Sequence, residues 1–428
     1  LTPITLPKTM DKFRIVGGAR LEGELPVSGS KNSALPALAA CLLTADEVTL
    51  RRIPRVRDIA TMKKLLGYTG AAVHDQSGTV KVKAAELKNA EAPYDIVKTM
   101  RASSLVLGPL LARTGRARVS MPGGCAIGAR PINLHVHALE QLGAKIEQTH
   151  GYFEASAPNG LQGGEVHFDR ITVTGTEDIL MAAVLASGKT IIRNAAREPE
   201  VSDLASLLVA MGAKIEGAGT SVIRVEGVGR LHGADHTIIA DRIEAGTFLL
   251  AGAITHGDLT VTGCVPDHIG ALIVKMRQAG AEVTEPCPTS LRVACQPRPK
   301  AVDVATEEFP GFATDLQAQY MAWMTVAQGI SFVTETIFEN RFMHASELAR
   351  MGATIRIEGR QAIVAGEQKL TGAQVMGSDL RASAALVLAA MVAEGETLID
   401  RVYHMDRGYE GLELKLNKVG ANIRRVRE

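Results

Sequence analysis

A six-fold internal repeat constrains this chain more than any other feature. The motif Gly-Ala-x-Ile/Val occurs at Gly70-Ala71-Ala72-Val73, Gly143-Ala144-Lys145-Ile146, Gly212-Ala213-Lys214-Ile215, Gly280-Ala281-Glu282-Val283, Gly352-Ala353-Thr354-Ile355 and Gly420-Ala421-Asn422-Ile423, at spacings of 73, 69, 68, 72 and 68 residues. A turn followed by a β-rich run keeps step with it, at Asp46-Glu47-Val48, Gly115-Arg116-Ala117, Gly188-Lys189-Thr190, Gly257-Asp258-Leu259, Gly329-Ile330-Ser331 and Gly395-Glu396-Thr397. Ahead of the glycines, Leu204, Leu207, Leu208, Met211 and Ile269, Leu272, Ile273, Met276 form helical stripes. Glycine supplies the left-handed C-cap that ends each helix, and Ala-x-Ile/Val opens a strand. Each repeat therefore reads as helix, strand, loop, helix, strand. Six repeats in 428 residues predict an α/β chain of two domains, three pseudo-symmetric repeats each, with a cleft where they meet.

Composition removes several classes of function. Lys+Arg against Asp+Glu is 47 − 46 = +1 and aromatics are 4%, so neither a strong field nor a supply of stacking rings points to nucleic acid. The longest apolar run, Ala382 to Ala393, falls short of the ~20 residues of a membrane span. Leu1 to Lys8 lacks both a basic start and an apolar segment, and residues 1–9, before Met10, read as an extension. Five cysteines (41, 125, 264, 287, 295) with no C-x-x-C spacing argue against a disulfide scaffold or a zinc site and fit a reducing cytoplasm. No obligate protein partner is evident.

The candidate chemistry gathers at one recurring place, the start of the small-residue-rich helix of each repeat. These segments are Lys31-Asn32-Ser33, Arg101-Ala102-Ser103, Thr176-Glu177-Asp178, Arg242-Ile243-Glu244, Thr314-Asp315-Leu316 and Asp379-Leu380-Arg381. Helix N-termini present free N–H groups and a partial positive charge, so Lys or Arg added there makes an anion site. The alternative is plain capping, for which Thr314, Ser378 and Asp379 are suited. The loop Gly123-Gly124-Cys125-Ala126-Ile127-Gly128-Ala129-Arg130-Pro131 places a thiol five residues before a guanidinium, which favours thiolate and suits a nucleophile or proton donor. Cys41 and Cys264 read instead as small buried hydrophobes. Asp315 suits a general base or a helix-dipole partner. Arg407 suits an anion clamp or a surface pair with Asp406 or Glu410. His135 and His137, with no third ligand in view, read as packing or surface histidines, and no metal is expected.

These segments closely resemble the enolpyruvyl transferase family, from Met10 to about Arg427. The resemblance is carried in order by Gly29-Ser30-Lys31-Asn32-Ser33-Ala34-Leu35-Pro36, Lys98-Thr99-Met100-Arg101-Ala102-Ser103, Pro122-Gly123-Gly124-Cys125 through Arg130-Pro131, Asn194-Ala195-Ala196-Arg197-Glu198-Pro199-Glu200, Phe338-Glu339-Asn340-Arg341-Phe342 and Asp406-Arg407-Gly408-Tyr409-Glu410. It implies two inside-out α/β barrels of three repeats, with 31–239 in one domain and 10–30 plus 240–428 in the other. The implied reaction moves the enolpyruvyl group of phosphoenolpyruvate to the 3-hydroxyl of UDP-N-acetylglucosamine and releases phosphate, in the first committed step of peptidoglycan synthesis, without redox or metal cofactor. By the same resemblance Lys31, Arg130 and Arg407 are cations for phosphoenolpyruvate, with Asn32 beside them. Cys125 is the proton donor and the thiol alkylated by fosfomycin. Asp315 is the proposed base at the sugar hydroxyl. Arg101, Pro131, Ile132, Asn133 and Leu134, Arg170, Ile171, Thr172 and Val173, and Ile337 match nucleotide-sugar contacts, and Glu198, Asp379 and Arg381 line the cleft. Asn133, where some relatives carry Asp, and Thr172 and Thr174, where some carry Ser and Gly, depart from the pattern at individual uridine or diphosphate contacts.

Three other readings share the repeat. A sister transferase acting on shikimate 3-phosphate has the same fold and chemistry but is not expected to carry the cysteine loop. A six-repeat ring clamping nucleic acid would need cations around a hole, whereas here Lys and Arg cluster in segments beside Cys125 and Asp315. A non-catalytic paralogue is disfavoured by intact Lys31, Cys125, Asp315 and Arg407.

Overall fold

The computed structural model describes residues 11–121, 132–295, 298–367 and 369–427. They form two compact modules, one of residues 28–121 and 132–239, the other of residues 11–27 and 240–427. The chain passes from the second module to the first after residue 27 and returns after residue 239.

Among the described residues there are six four-stranded sheets, one per repeat, all with the same order. The repeat of residues 165–226 shows the pattern. Strand Glu165–His167 runs parallel to Lys189–Arg193, which pairs antiparallel with Val222–Glu226, and Lys214–Glu216 forms the far edge. Helices Val173–Ala183 and Pro199–Ala210 connect these strands. In space each repeat is thus β-α-β-α-β-β, two strands richer than its sequence pattern indicates, with the first, fourth and sixth each taking one strand from elsewhere in the chain. The missing strands are the short opening one, only two residues at Glu91–Ala92 and Val304–Ala305, and the return arm of the terminal hairpin. A two-residue strand is too short to show an alternation.

The repeat markers land where the physics places them. Gly70, Gly143, Gly212, Gly280, Gly352 and Gly420 all adopt positive φ, between 88° and 111°, directly after a helix. The β-rich runs become the second strands, from Glu47–Arg51 to Glu396–Asp400. Capping agrees less well with expectation. Asp379 caps helix Leu380–Val392 through the N–H groups of Arg381 and Ala382, but Thr314 and Ser378 turn their hydroxyls to other side chains. Thr176-Glu177-Asp178 lies inside its helix, because Thr172 takes the capping role by accepting from Gly175 N.

The first helix of each repeat is apolar on nearly every side, the signature of a helix with no solvent face. In the second module, helices Arg242–Ile254, Gln317–Met324 and Leu380–Val392 pack against one another, with Phe248, Tyr320, Trp323 and Leu386 fully enclosed. The sheets lie outside and turn one face to solvent, as in Thr79–Lys83, where Val80 and Val82 are buried and Lys81 and Lys83 exposed. Each module therefore has its helices inside and its sheets outside. The apolar run at Ala382–Ala393 is one of these core helices. No helix among the described residues is long and apolar enough to cross a membrane.

Candidate active site

In the second module the starts of the three core helices converge. Asp315 sits in the single helical turn Thr314–Leu316 ahead of Gln317–Met324. Its Oδ2 accepts from Arg381 Nη2 at 2.7 Å, and Arg381 lies in the first turn of Leu380–Val392. Its Oδ1 accepts from Arg341 Nη2 at 2.5 Å. Asp241, the N-cap of Arg242–Ile254, adds its negative field to that of Asp315 on Arg381. One carboxylate is thus held between two guanidiniums whose side chains are only 5% and 6% exposed, while its own is 27% exposed.

The electrostatics follow from this clamp. Burial alone would raise the proton affinity of Asp315, but the charges of Arg381 and Arg341 outweigh it and hold the carboxyl well below its ordinary range. His344, buried between Asp379 and Arg341, is pushed down to about 4, chiefly by burial, and is neutral at pH 7. One turn into the core helices, the hydroxyl of Thr247 lies 2.9 Å from that of Tyr409, and Gln319 Nε2 is within hydrogen-bond distance of both and of the Asp315 carbonyl, which share its two protons. This layer braces the helix starts. Arg407 is half-buried at the end of the helical turn Val402–Arg407, and its neighbour Asp406 pairs with Arg425 at 2.7 Å. Ile337 is half-buried, and its N–H donates to Glu335.

The first module carries the other described candidates. Lys31 opens helix Lys31–Ala40, which Ser30 caps; its side chain is 12% exposed and its ammonium lies 3.5 Å from Asp58. Asn32 is half-buried beside it, and Ser33 pairs with Asp203, which also binds His236 at 2.9 Å. Arg101 begins the helical turn Arg101–Val106. Glu198 is buried just before helix Pro199–Ala210. Buried Glu177 is raised well above the usual carboxylate range by burial, with Glu200, Glu198 and Asp178 adding repulsion. His135 is a packing residue, with its ring nitrogens 3.1 Å from Asp178 and 3.2 Å from Thr174, while His137 is exposed beside Glu140. Ile132 is buried at the start of helix Asn133–Gln141, Asn133 is exposed and Leu134 half-buried. Arg170 is exposed, and Ile171, Thr172 and Val173 are half-buried at the next helix start. Cys125, Arg130 and Pro131 lie outside the described residues, so nothing is assigned to their geometry. Cys41 and Cys264 are buried, as their surroundings imply.

The structure thus brings Asp315, Arg381 and Asp379 into one cluster and adds three members to it, Arg341, Thr314 and Glu335. Arg341 is foreshadowed only by the segment Phe338-Glu339-Asn340-Arg341-Phe342. Among the described residues no group of acidic, histidine and cysteine side chains is arranged to hold a metal ion.

Solved structures with this architecture include enolpyruvyl transferases. The enolpyruvyl transferase NikO from Streptomyces tendae matches with a TM-score of 0.89 at 25% identity, covering 98% of this chain and 100% of that one. EPSP synthase from Acinetobacter baumannii shares the fold, with a TM-score of 0.76 at 16% identity over 97% of this chain and 100% of that one. The EPSP synthase (3-phosphoshikimate 1-carboxyvinyltransferase) family model matches residues 15–416, and the chain belongs to this family of transferases. Among its relatives is a UDP-N-acetylglucosamine 1-carboxyvinyltransferase of Solibacter usitatus, 70% identical over 97% of this chain and 100% of that protein. A protein of the same name from Koribacter versatilis is 60% identical, over 98% of this chain and 97% of its own length.

Proposed function

We propose that this chain transfers the enolpyruvyl group of phosphoenolpyruvate to the 3-hydroxyl of UDP-N-acetylglucosamine and releases phosphate, the first committed step of peptidoglycan synthesis. The observation that carries this reading is the 70% identity, over nearly the whole of both chains, to a relative named for that reaction.

The reaction is an addition followed by an elimination. The sugar oxygen attacks C2 of phosphoenolpyruvate while a proton is added at C3. A proton then leaves C3, and phosphate departs from C2. The difficulty is charge, since a polyanion must accept a nucleophile. Lys31, Arg130 and Arg407 are assigned to neutralise it, because fixed cations stabilise developing charge without reorganising. Cys125 supplies the proton to C3 and is the thiol open to fosfomycin. Asp315 accepts the proton of the sugar hydroxyl.

The clamp on Asp315 bears on that last role. Between two guanidiniums the carboxylate is a weak base. An anionic substrate drawn to Arg341 and Arg381 shares their charge and returns Asp315 toward its ordinary range. The base then gains strength only when substrate is present.

The test is phosphate release from phosphoenolpyruvate, with UDP-N-acetylglucosamine and shikimate 3-phosphate compared as acceptors. Release with the nucleotide sugar alone is the expected result. Release with shikimate 3-phosphate alone would transfer the assignment to the sister reaction. Cys125→Ala is expected to remove most turnover at neutral pH and to abolish fosfomycin labelling. Labelling of that variant would move the reactive thiol elsewhere.

A further inference from the structure

Glu335 follows directly on strand Ile330–Thr334, and only 1% of it is exposed. A carboxylate sealed from water needs donors on both oxygens, and this one has four. Oε1 accepts from Thr306 Oγ1 at 2.9 Å, Ile337 N at 2.9 Å and Phe338 N at 3.0 Å. Oε2 accepts from Thr314 Oγ1 at 2.8 Å. Since a carboxylate can only accept, the single hydroxyl proton of Thr314 points at Glu335, and the oxygen's lone pairs are left for another donor. That donor is Arg341 Nη1, at 2.8 Å. The other end of the same guanidinium, Nη2, holds Asp315.

A second route joins the same residues. The two N–H groups pinned by Oε1 shape the turn carrying Phe338, whose ring lies 5.0 Å from the Arg341 guanidinium. Glu335 therefore fixes both the hydroxyl at one end of Arg341 and the ring beside its guanidinium. Carboxylate, hydroxyl, guanidinium and carboxylate form a directed chain of hydrogen bonds, each orientation dictated by the one before.

The geometry points to Glu335 as a positioning residue, which acts through Thr314 to aim the Arg341 guanidinium that holds Asp315. This assignment rests on the proposed function for its kinetic consequence and on the hydrogen-bond chain alone for its electrostatic one. The groups facing Asp315 are Arg341, from the connection after the strand, and Arg381, from helix Leu380–Val392. Tyr409 and Asp241 face Arg381 in turn, and Asp379 and Arg341 face His344. The chain from Glu335 reaches Arg341 and leaves the Arg381 contact in place.

The test compares Glu335→Gln, Thr314→Val and Thr314→Ser in the full chain. Valine keeps the shape of threonine and removes the hydroxyl, whereas serine keeps the hydroxyl. Thr314→Val and Glu335→Gln are expected to lower kcat by about 10- to 100-fold, the scale of a small misplacement in a reacting site. KM for UDP-N-acetylglucosamine should stay close to the parent value, Thr314→Val and Glu335→Gln should melt lower because each leaves a buried polar atom unmatched, Thr314→Ser should retain activity and the parent melting temperature, and the double variant Glu335→Gln/Thr314→Val should lose no more activity than either single one. Carboxyl ¹³C NMR titration of Asp315 reads the same chain with no substrate present. Its pKa should rise by about one unit in Thr314→Val, where one cation is no longer aimed, and return in Thr314→Ser. If the parent chain releases no phosphate with the nucleotide sugar, the proposed function fails and the titration alone judges the chain. An Asp315 titration unchanged in Thr314→Val, or losses that add in the double variant, would overturn the assignment.

Discussion

Asp315 is where charge, stability and proposed chemistry meet. Its carboxyl is held below the ordinary range, so its contribution to stability is complete above the unfolded value of about 3.9 and is lost as pH falls through the folded one. Asp315→Asn removes that contribution and strands two buried guanidiniums, a loss on the order of 3 kcal/mol at neutral pH. The difference in unfolding free energy between parent and variant should therefore be greatest above about pH 5 and close on acidification below the carboxylate range. An equal difference at pH 7 and pH 3 would detach the charge from the stability. In kinetics, Asp315→Ala should lower kcat far more than it weakens nucleotide-sugar binding, and a near-normal kcat would remove it from the base role. Asp315 and Arg381 are legible in the sequence because each begins a helix in a repeated position. Arg341 is not, since a guanidinium's partner is set by folding across 26 residues. Glu335 and its link to Thr314 are hidden for the same reason, and Thr314 itself reads as a cap until its hydroxyl is seen facing Glu335.

Elements are more legible than contacts, because a helix's period and its terminating glycine are local properties. Gly70 shows the second of these. At φ of 106° it ends helix Arg57–Thr69, and a β-carbon there would approach Glu86 O and Lys88 N at 3.0 Å. Gly70→Ala should cost about 1–2 kcal/mol from the left-handed conformation, before any crowding. Gly252 tests packing instead. It lies inside core helix Arg242–Ile254, where a β-carbon would meet Val293 Cγ1 at 2.7 Å and Leu259 Cβ at 3.0 Å. Gly252→Ala should destabilise by about 1–3 kcal/mol in urea unfolding despite the better helix propensity of alanine. A stabilised variant would show that the strands behind this helix can yield. Most opening strands of the repeats stayed hidden because two or three residues carry no periodicity, while Glu22–Pro26, at five residues, is separated from the rest of its repeat by the whole first module.

The second module is assembled from pieces far apart in the chain. Strand Asp11–Val16 lies between Glu396–Asp400 and Ile423–Arg427, pairing antiparallel with both, and so completes the sixth repeat. Strand Glu22–Pro26 opens the fourth repeat beside Asp258–Thr262. The count of six repeats in two groups of three is legible from spacing alone, but this closure is not, because no local pattern says which repeat an isolated strand will join. Removal of residues 1–18 should abolish cooperative unfolding of residues 240–427 while amides of residues 28–239 keep their slow hydrogen exchange. Protection lost in both modules together would mean that the two do not unfold independently.

The same closure sets an order of events on the ribosome. Residues 28–239 are contiguous and can fold as soon as they emerge, whereas the first strands emerge before every partner they need. At about 5–20 residues per second, Phe13 and Ile15 wait tens of seconds for the last strand of the chain to be synthesised. During that interval two side chains that end fully enclosed remain open to water and to whatever binds apolar segments of nascent protein.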